Sequence, residues 1–232
     1  MAHFGVSIFS IFVVGIELHL FTNESHTPMS RLSPDFYTRD DVLTISKELL
    51  GKVIVTRFDG ILTSGMIVET EAYRGPEDRA SHAWNNRYTA RTKTMFEKGG
   101  KAYIYRCYGI HHLFNVVTAG EGVPHAVLIR AIAPLDNIEA MLERRKFESL
   151  RPQLTMGPGT LSMALGLTTT HNGADLNDPD SPVWIEDRGV LIPASDIVAT
   201  TRVGVDYAGE AALWEWRFYI RGVAYVSKRV KE

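Results

Sequence analysis

Apolar and polar positions along the chain change period several times, and each change predicts an element. Val42, Ile45 and Leu49 recur at helical spacing, Asp40 or Asp41 can cap them, and Gly51 sits where a helix would end. A helix to Leu50 is therefore predicted. The period then shortens to two. Residues 52–58 read as a strand, Asp59-Gly60 is a hairpin turn signal, and residues 61–73 read as the long returning strand. Strict alternation would put Ile67, Glu69, Glu71 and Tyr73 on one face, and Met66, Val68, Thr70 and Ala72 on the other. Over residues 75–100 the pattern is lost to Gly, Pro, Asn and Arg, and a connection of that length in a compact domain is usually functional.

Regular patterns return downstream. Residues 103–117 and 126–132 read as strands, and Asp136 can cap a helix over residues 137–146. Met156-Gly-Pro-Gly leads into a short helix over 160–165, and strands are predicted at 183–186, 197–205 and 217–220. No repeat or linker divides this series. The expected fold is a single mixed α+β domain with a curved, mostly antiparallel β-sheet and a few peripheral helices.

The first residues stand apart. Residues 4–21 are largely apolar, but Glu17 and His19 interrupt them, leaving too short a run to span a bilayer comfortably. A basic n-region and a clean small-x-small cleavage site are both missing, so a signal peptide fits poorly. Met29 opens M-S-R-L-S-P-D-F-Y, which reads as a natural start. Residues 1–28 are therefore expected to be a non-native or disordered extension, with a membrane anchor as the weaker reading, and residues 29–232 to be the working domain.

The formal charge of −2 hides an uneven distribution. Residues 73–112 carry eight cations against three acids, and residues 131–187 carry four against nine. That predicts a basic face on an acidic body, which is what phosphates respond to. The same basic segment holds five of the nine tyrosines. Aromatic faces, cations and the carboxylates of E-T-E-A-Y together suit an enzyme acting on a nucleic-acid base. Cys107 is the one cysteine, which excludes an internal disulfide and a thiolate zinc cluster and fits a reducing, intracellular setting. Its neighbours make it a strand residue.

Several motifs in order resemble the alkyladenine (3-methyladenine) DNA glycosylases. They are V-E-T-E-A-Y-R-G-P-E-D-R-A-S-H from Val68, M-F-E-K-G-G-K-A-Y-I-Y from Met95, Y-G-I-H-H-L-F-N from Tyr108, V-L-I-R-A-I-A-P from Val127, M-G-P-G-T-L from Met156, R-V-G-V-D-Y-A-G-E and R-F-Y-I-R-G. The match covers about residues 31–227. It implies a monofunctional glycosylase that flips alkylated or deaminated purines out of double-stranded DNA and excises them in base excision repair.

Residue by residue, the resemblance makes Glu71 the general base, with Arg130 and the backbone of Val226 near the catalytic water. Unperturbed glutamate is ionised at neutral pH, as a base must be. Tyr73, His82 and Tyr105 match positions enclosing the flipped base, where aromatic faces favour an electron-poor alkylated purine. Asn115 matches a residue discriminating against the amino group of guanine. Tyr108 matches the intercalating residue, and its place before Gly109 at a strand tip would let the ring project into the minor groove. Glu69 raises the two-carboxylate arrangement of sugar hydrolases, but side chains two apart on a strand point the same way and would not flank a bond.

Neither a cofactor nor a metal is expected, since neighbouring His111 and His112 on a strand cannot face one ion with His82. Schiff-base chemistry would need an amine, and no lysine falls in the motifs assigned to the pocket. The Gly157 turn lacks Walker spacing. The expected partner is damaged duplex DNA, bound by a monomer without stable membrane association, in a cytoplasmic, nucleoid or nuclear setting. Competing readings are a module that binds lesions without cutting, and a nucleoside hydrolase using Glu69 with Glu71.

Overall fold

Three helical stripes and one long central strand organise the molecule. A computed structural model describes residues 7–13, 16–22 and 30–229. Strands β1 (Ser7–Val13) and β2 (Ile16–Thr22) pair only with each other, as a two-stranded antiparallel sheet. The remainder of the proposed extension lies outside the described residues.

In chain order there follow β3 (Ser30–Arg31), α1 (Pro34–Tyr37), α2 (Val42–Glu48), β4 (Val53–Phe58), β5 (Ile61–Arg74), β6 (Ala102–Cys107), β7 (His111–Thr118) and β8 (His125–Pro134). The chain continues through α3 (Ile138–Arg145), α4 (Pro158–Leu165), β9 (Val183–Asp187), β10 (Ile197–Thr200) and β11 (Arg217–Ile220), with 3-10 turns between. Nine strands form one curled antiparallel sheet in the order β3-β9-β4-β5-β8-β7-β6, with β11 paired to β5 and β10 to β11. The fold is thus the α+β domain expected.

Local chemistry explains the boundaries. Asp41 caps α2 by accepting from the Leu43 and Thr44 amides at 3.0 and 3.1 Å, an arrangement worth about 1 kcal/mol. Asp59 and Gly60 both have positive φ, 52° and 76°, as the tight β4–β5 turn requires. Val42, Ile45 and Leu49 are fully buried. Helices α2 and α4 lie on the sheet, α3 lies on α4, and their apolar stripes close the main core with Ile67, Val68, Ile129 and Ile132. Each such side chain contributes about 1.5–3 kcal/mol by burial.

Four sequence expectations need correction. Asn137, not Asp136, caps α3, with its Oδ1 accepting from Ala140 at 3.4 Å. Asp136 is engaged instead by Ser64 at 2.5 Å and Arg188 at 2.9 Å, ties that pin β5 to β9. Helix α4 starts at Pro158 and not at Thr160, because proline fits a first helical turn. Strand β10 stops at Thr200 instead of running to residue 205, since the chain turns inward at Arg202 to build the site.

Strict alternation along β5 also fails. Ile67 pairs with Ile132, Glu69 with Ala131 and Thr70 with Ile129, so Val68 and Arg130 are each an extra residue in a bulge. Ile67 and Val68 both join the main core. Glu69, Glu71 and Tyr73 do share a side, and the bulges bring Arg130 between the two carboxylates.

Candidate active site

On the other side of the sheet the apolar contacts break into two small clusters. One gathers Ala83, Met95, Tyr103, Val117 and Ala126, and the other Ala80, Val205, Ala208 and Ala211. A cavity of about 460 Å³ opens between them, a size ordinary for small-molecule sites. Its wall includes Tyr73, His82, Tyr105, Tyr108, Asn115 and Arg130. Six of the residues expected from sequence therefore meet around one cavity.

Glu71 lies one layer behind that wall. Its carboxylate is fully buried, and its partners Tyr73, Val203 and Arg130 all line the cavity. Oε2 accepts from the Tyr73 hydroxyl at 2.7 Å; Oε1 accepts from the Val203 amide at 2.7 Å and pairs with Arg130 at 3.2 Å. Glu69 is bound more fully. Arg130 Nε at 3.1 Å, Arg217 at 2.9 Å and the Ser227 hydroxyl at 2.9 Å converge on Oε1, and the Ser227 amide reaches Oε2 at 2.6 Å. A carboxylate offers about four acceptor sites; Glu69 takes four donors, three of them on Oε1, whereas Glu71 takes three, two on Oε1 and one on Oε2, and keeps a site free there.

Charge states follow from these contacts. Burial drags the Arg130 guanidinium toward neutrality, but Glu71 and Glu69 outweigh it, and its pKa ends above the ordinary value. Burial, then the charge of Glu71, raises the Tyr73 phenol well above the usual tyrosine range, so it stays a donor to Glu71. His82 moves the other way. Burial, with Arg91 and Arg87 adding to it, lowers its pKa from 6.5 to about 4, so the ring is neutral at physiological pH.

The rings are arranged edge to face. His82 and Tyr105 have centroids 4.5 Å apart at 78°, and Tyr103 sits behind them, its hydroxyl 2.9 Å from His82 Nδ1. Asn115 spends both amide hydrogens on the carbonyls of Tyr103 and Leu113, at 3.0 and 3.3 Å. Those two bonds fix the orientation of its amide. Val226 is buried one residue before Ser227, which anchors Glu69.

Tyr108 projects from the β6–β7 tip and is 91% exposed. It and Gly109 both have positive φ, 50° and 73°, and the Ile110 amide closes the turn onto Cys107 at 3.2 Å. Ile110 is exposed beside it, so the tip is apolar and solvated.

Sequence reasoning missed the supports. Arg202 and Asp78 form a fully buried ion pair, with one contact at 2.9 Å, and Arg202 also holds the Ala72 and Ala211 carbonyls and lies 4.8 Å from the Tyr73 ring centre. Tyr103, Val203, Arg217, Tyr207 and Ser227 were likewise not expected at the site. The signal for Tyr103, Val203, Tyr207 and Arg217 was membership of the family-like motifs; Ser227 lies outside them, at the end of the matched range. His111 packs against Gly159, and His112 Nδ1 accepts from the Thr169 amide at 3.1 Å. Among the described residues no helix is long and apolar enough to cross a membrane.

The site thus combines an antiparallel α+β fold, a carboxylate behind an aromatic cavity and an exposed apolar tip beside it. Residues 35–224 match the family model described as methylpurine-DNA glycosylase. The chain is 47% identical over 190 residues to a Chlamydia pneumoniae protein named "Putative 3-methyladenine DNA glycosylase", covering 82% of this chain and 94% of that one. A Clostridium novyi protein of the same name is 43% identical over 208 residues, covering 87% of this chain and all of the other. The chain belongs to the methylpurine-DNA glycosylase family.

Proposed function

We propose that this protein is a monofunctional DNA glycosylase that flips alkylated or deaminated purines, of the 3-methyladenine, hypoxanthine and ethenoadenine type, out of double-stranded DNA and hydrolyses their N-glycosidic bond in base excision repair. The free acceptor site of Glu71, behind an aromatic cavity with Tyr108 at its rim, carries this reading.

In the reaction a water held at Glu71 Oε2 gives it a proton as the water oxygen bonds to C1′. The C1′–N9 bond breaks, and its electron pair leaves with the purine. Positive charge on the sugar is stabilised by the Glu71 carboxylate, which Arg130 and the Val203 amide hold in place. Tyr73, His82 and Tyr105 enclose the base, and the fixed Asn115 amide obstructs a guanine amino group. Tyr108, with Ile110 beside it, fills the gap in the duplex. No lysine is among the lining residues, which favours water over an amine as the nucleophile. Glu69 is occupied by four donors, which counts against the two-carboxylate nucleoside hydrolase.

The test is single-turnover incubation with a duplex carrying hypoxanthine or ethenoadenine. Release of free base, leaving an intact strand with an abasic site, is expected. Tight lesion binding without release would instead favour a recognition module, and cleavage of free nucleosides would favour the hydrolase.

A further inference from the structure

The lesion cavity carries a charge imbalance. Behind its wall Glu69 and Glu71 meet Arg130 and Arg217, two charges of each sign. The other cations on the wall are Arg91 and Arg106, and among the described residues neither enters an ion pair. Both are exposed, but the Arg106 side chain, near the end of β6, makes no ring contact or hydrogen bond among the described residues. Arg91 is tied to the base-enclosing rings. Its guanidinium lies 4.9 Å from the Tyr105 ring centre, and its Nη2 is 3.2 Å from His82 Nε2.

The hydrogen-bond roles are fixed by chemistry. Arginine has no acceptor, so Arg91 donates and His82 Nε2 accepts. The imidazole proton is then on Nδ1, donated to the Tyr103 oxygen. A neutral His82 keeps Arg91 anchored above its titration near 4.

Damaged purines fall into two charge classes. Alkylation at a ring nitrogen leaves a fixed positive charge, whereas deamination or etheno bridging leaves the ring neutral. A cationic purine would meet a like charge, and the Tyr105 face that should attract it already holds a guanidinium. For a neutral purine the sign reverses. As C1′–N9 breaks, the electron pair makes the departing ring negative, and a nearby cation stabilises that change. A cationic purine is repelled as it enters and only sheds that repulsion as it departs neutral, so over entry and departure together it has no net gain.

We propose that Arg91 is a specificity-determining residue that biases the pocket toward neutral damaged purines and against those with a fixed positive charge. This rests on the glycosylase reading above.

The experiment compares single-turnover excision of hypoxanthine and of 7-methylguanine from otherwise identical duplexes by the wild-type protein, Arg91→Met and Arg91→Lys. Methionine keeps a long apolar chain for the Tyr105 face and removes the charge. The ratio of the two rates within one preparation is independent of the folded fraction. Arg91→Met should lower the neutral-to-cationic ratio by about three- to tenfold, the scale of a unit charge a few ångströms away that solvent partly screens. Arg91→Lys should stay nearer the wild type. Equal losses on both substrates with Arg91→Met, or a shallower salt dependence of duplex binding at an unchanged ratio, would make Arg91 a backbone clamp and overturn the proposal. Release of neither base by the wild-type protein would overturn the glycosylase reading itself.

Discussion

Glu69 and Glu71 are two residues apart on one strand, both fully buried and both paired with Arg130, yet they end in different regions. The Glu69 region joins β5, β8, β11 and the segment at Ser227, and four donors there converge on the carboxylate. The Glu71 region faces a cavity, and one acceptor site is left open. Burial and charge alone would not tell these groups apart. Their partners do: Glu69 takes four donors from β8, β11 and the Ser227 segment and holds them together, whereas Glu71 takes three, all from residues on the cavity wall, and on the proposed reading its open site takes the water.

The largest effect should come from Glu71→Gln, which keeps shape while removing the base. Single-turnover excision should fall by roughly 10²–10⁴-fold with lesion binding retained. Binding that disappears along with chemistry would mean that Glu71 shapes the cavity. Glu69→Gln should act on stability, because Arg130 and Arg217 lose a shared counter-charge, and breaking buried pairs costs about 3–5 kcal/mol. Urea unfolding measures it. A Glu69 variant as stable as the wild type would undo the contrast between the two carboxylates.

Tyr108→Ala tests the rim. Holding a nucleotide out of the stack costs roughly a few kcal/mol per unstacked step, so activity on paired hypoxanthine should drop sharply. A lesion in single-stranded DNA should suffer less, and equal losses would assign Tyr108 to the pocket. Exposed Arg79 and Arg87 have no acidic partner among the described residues. Replacing both with Gln should reduce the salt slope of duplex binding by about 0.9 for each phosphate that is no longer neutralised. An unchanged slope would move the basic face elsewhere.

The smallest expected effect is on pH dependence. His82 titrates near 4 in the folded protein against 6.5 ordinarily, so between those values the unfolded chain binds more protons. Its contribution is then fully present above pH 6.5 and is lost as pH falls toward 4. His82→Gln should flatten that decline in unfolding measurements. Parallel stability curves for the two proteins would show that His82 does not titrate as its surroundings dictate.

What could be read from the chain was local. The Asp59-Gly60 turn, the α2 cap at Asp41 and the Tyr108-Gly109 tip depend on neighbours in sequence. The site residues Glu71, Tyr73, His82, Tyr105, Asn115 and Arg130 came from motif resemblance. Their gathering around one cavity needed the fold. Periodicity could not reveal the bulges at Val68 and Arg130, because an extra residue is defined only against a partner strand. Nor could it find the Arg202–Asp78 pair, 124 residues apart, or the diversion of Asp136 to Ser64 and Arg188.

The most direct test measures wild-type protein, Glu71→Gln and Glu69→Gln in one single-turnover series on a hypoxanthine duplex, with rates normalised to folded protein. The account predicts free base from the wild type, a rate lower by orders of magnitude for Glu71→Gln, and a much smaller loss for Glu69→Gln. A larger loss of chemistry at Glu69 than at Glu71 would contradict it.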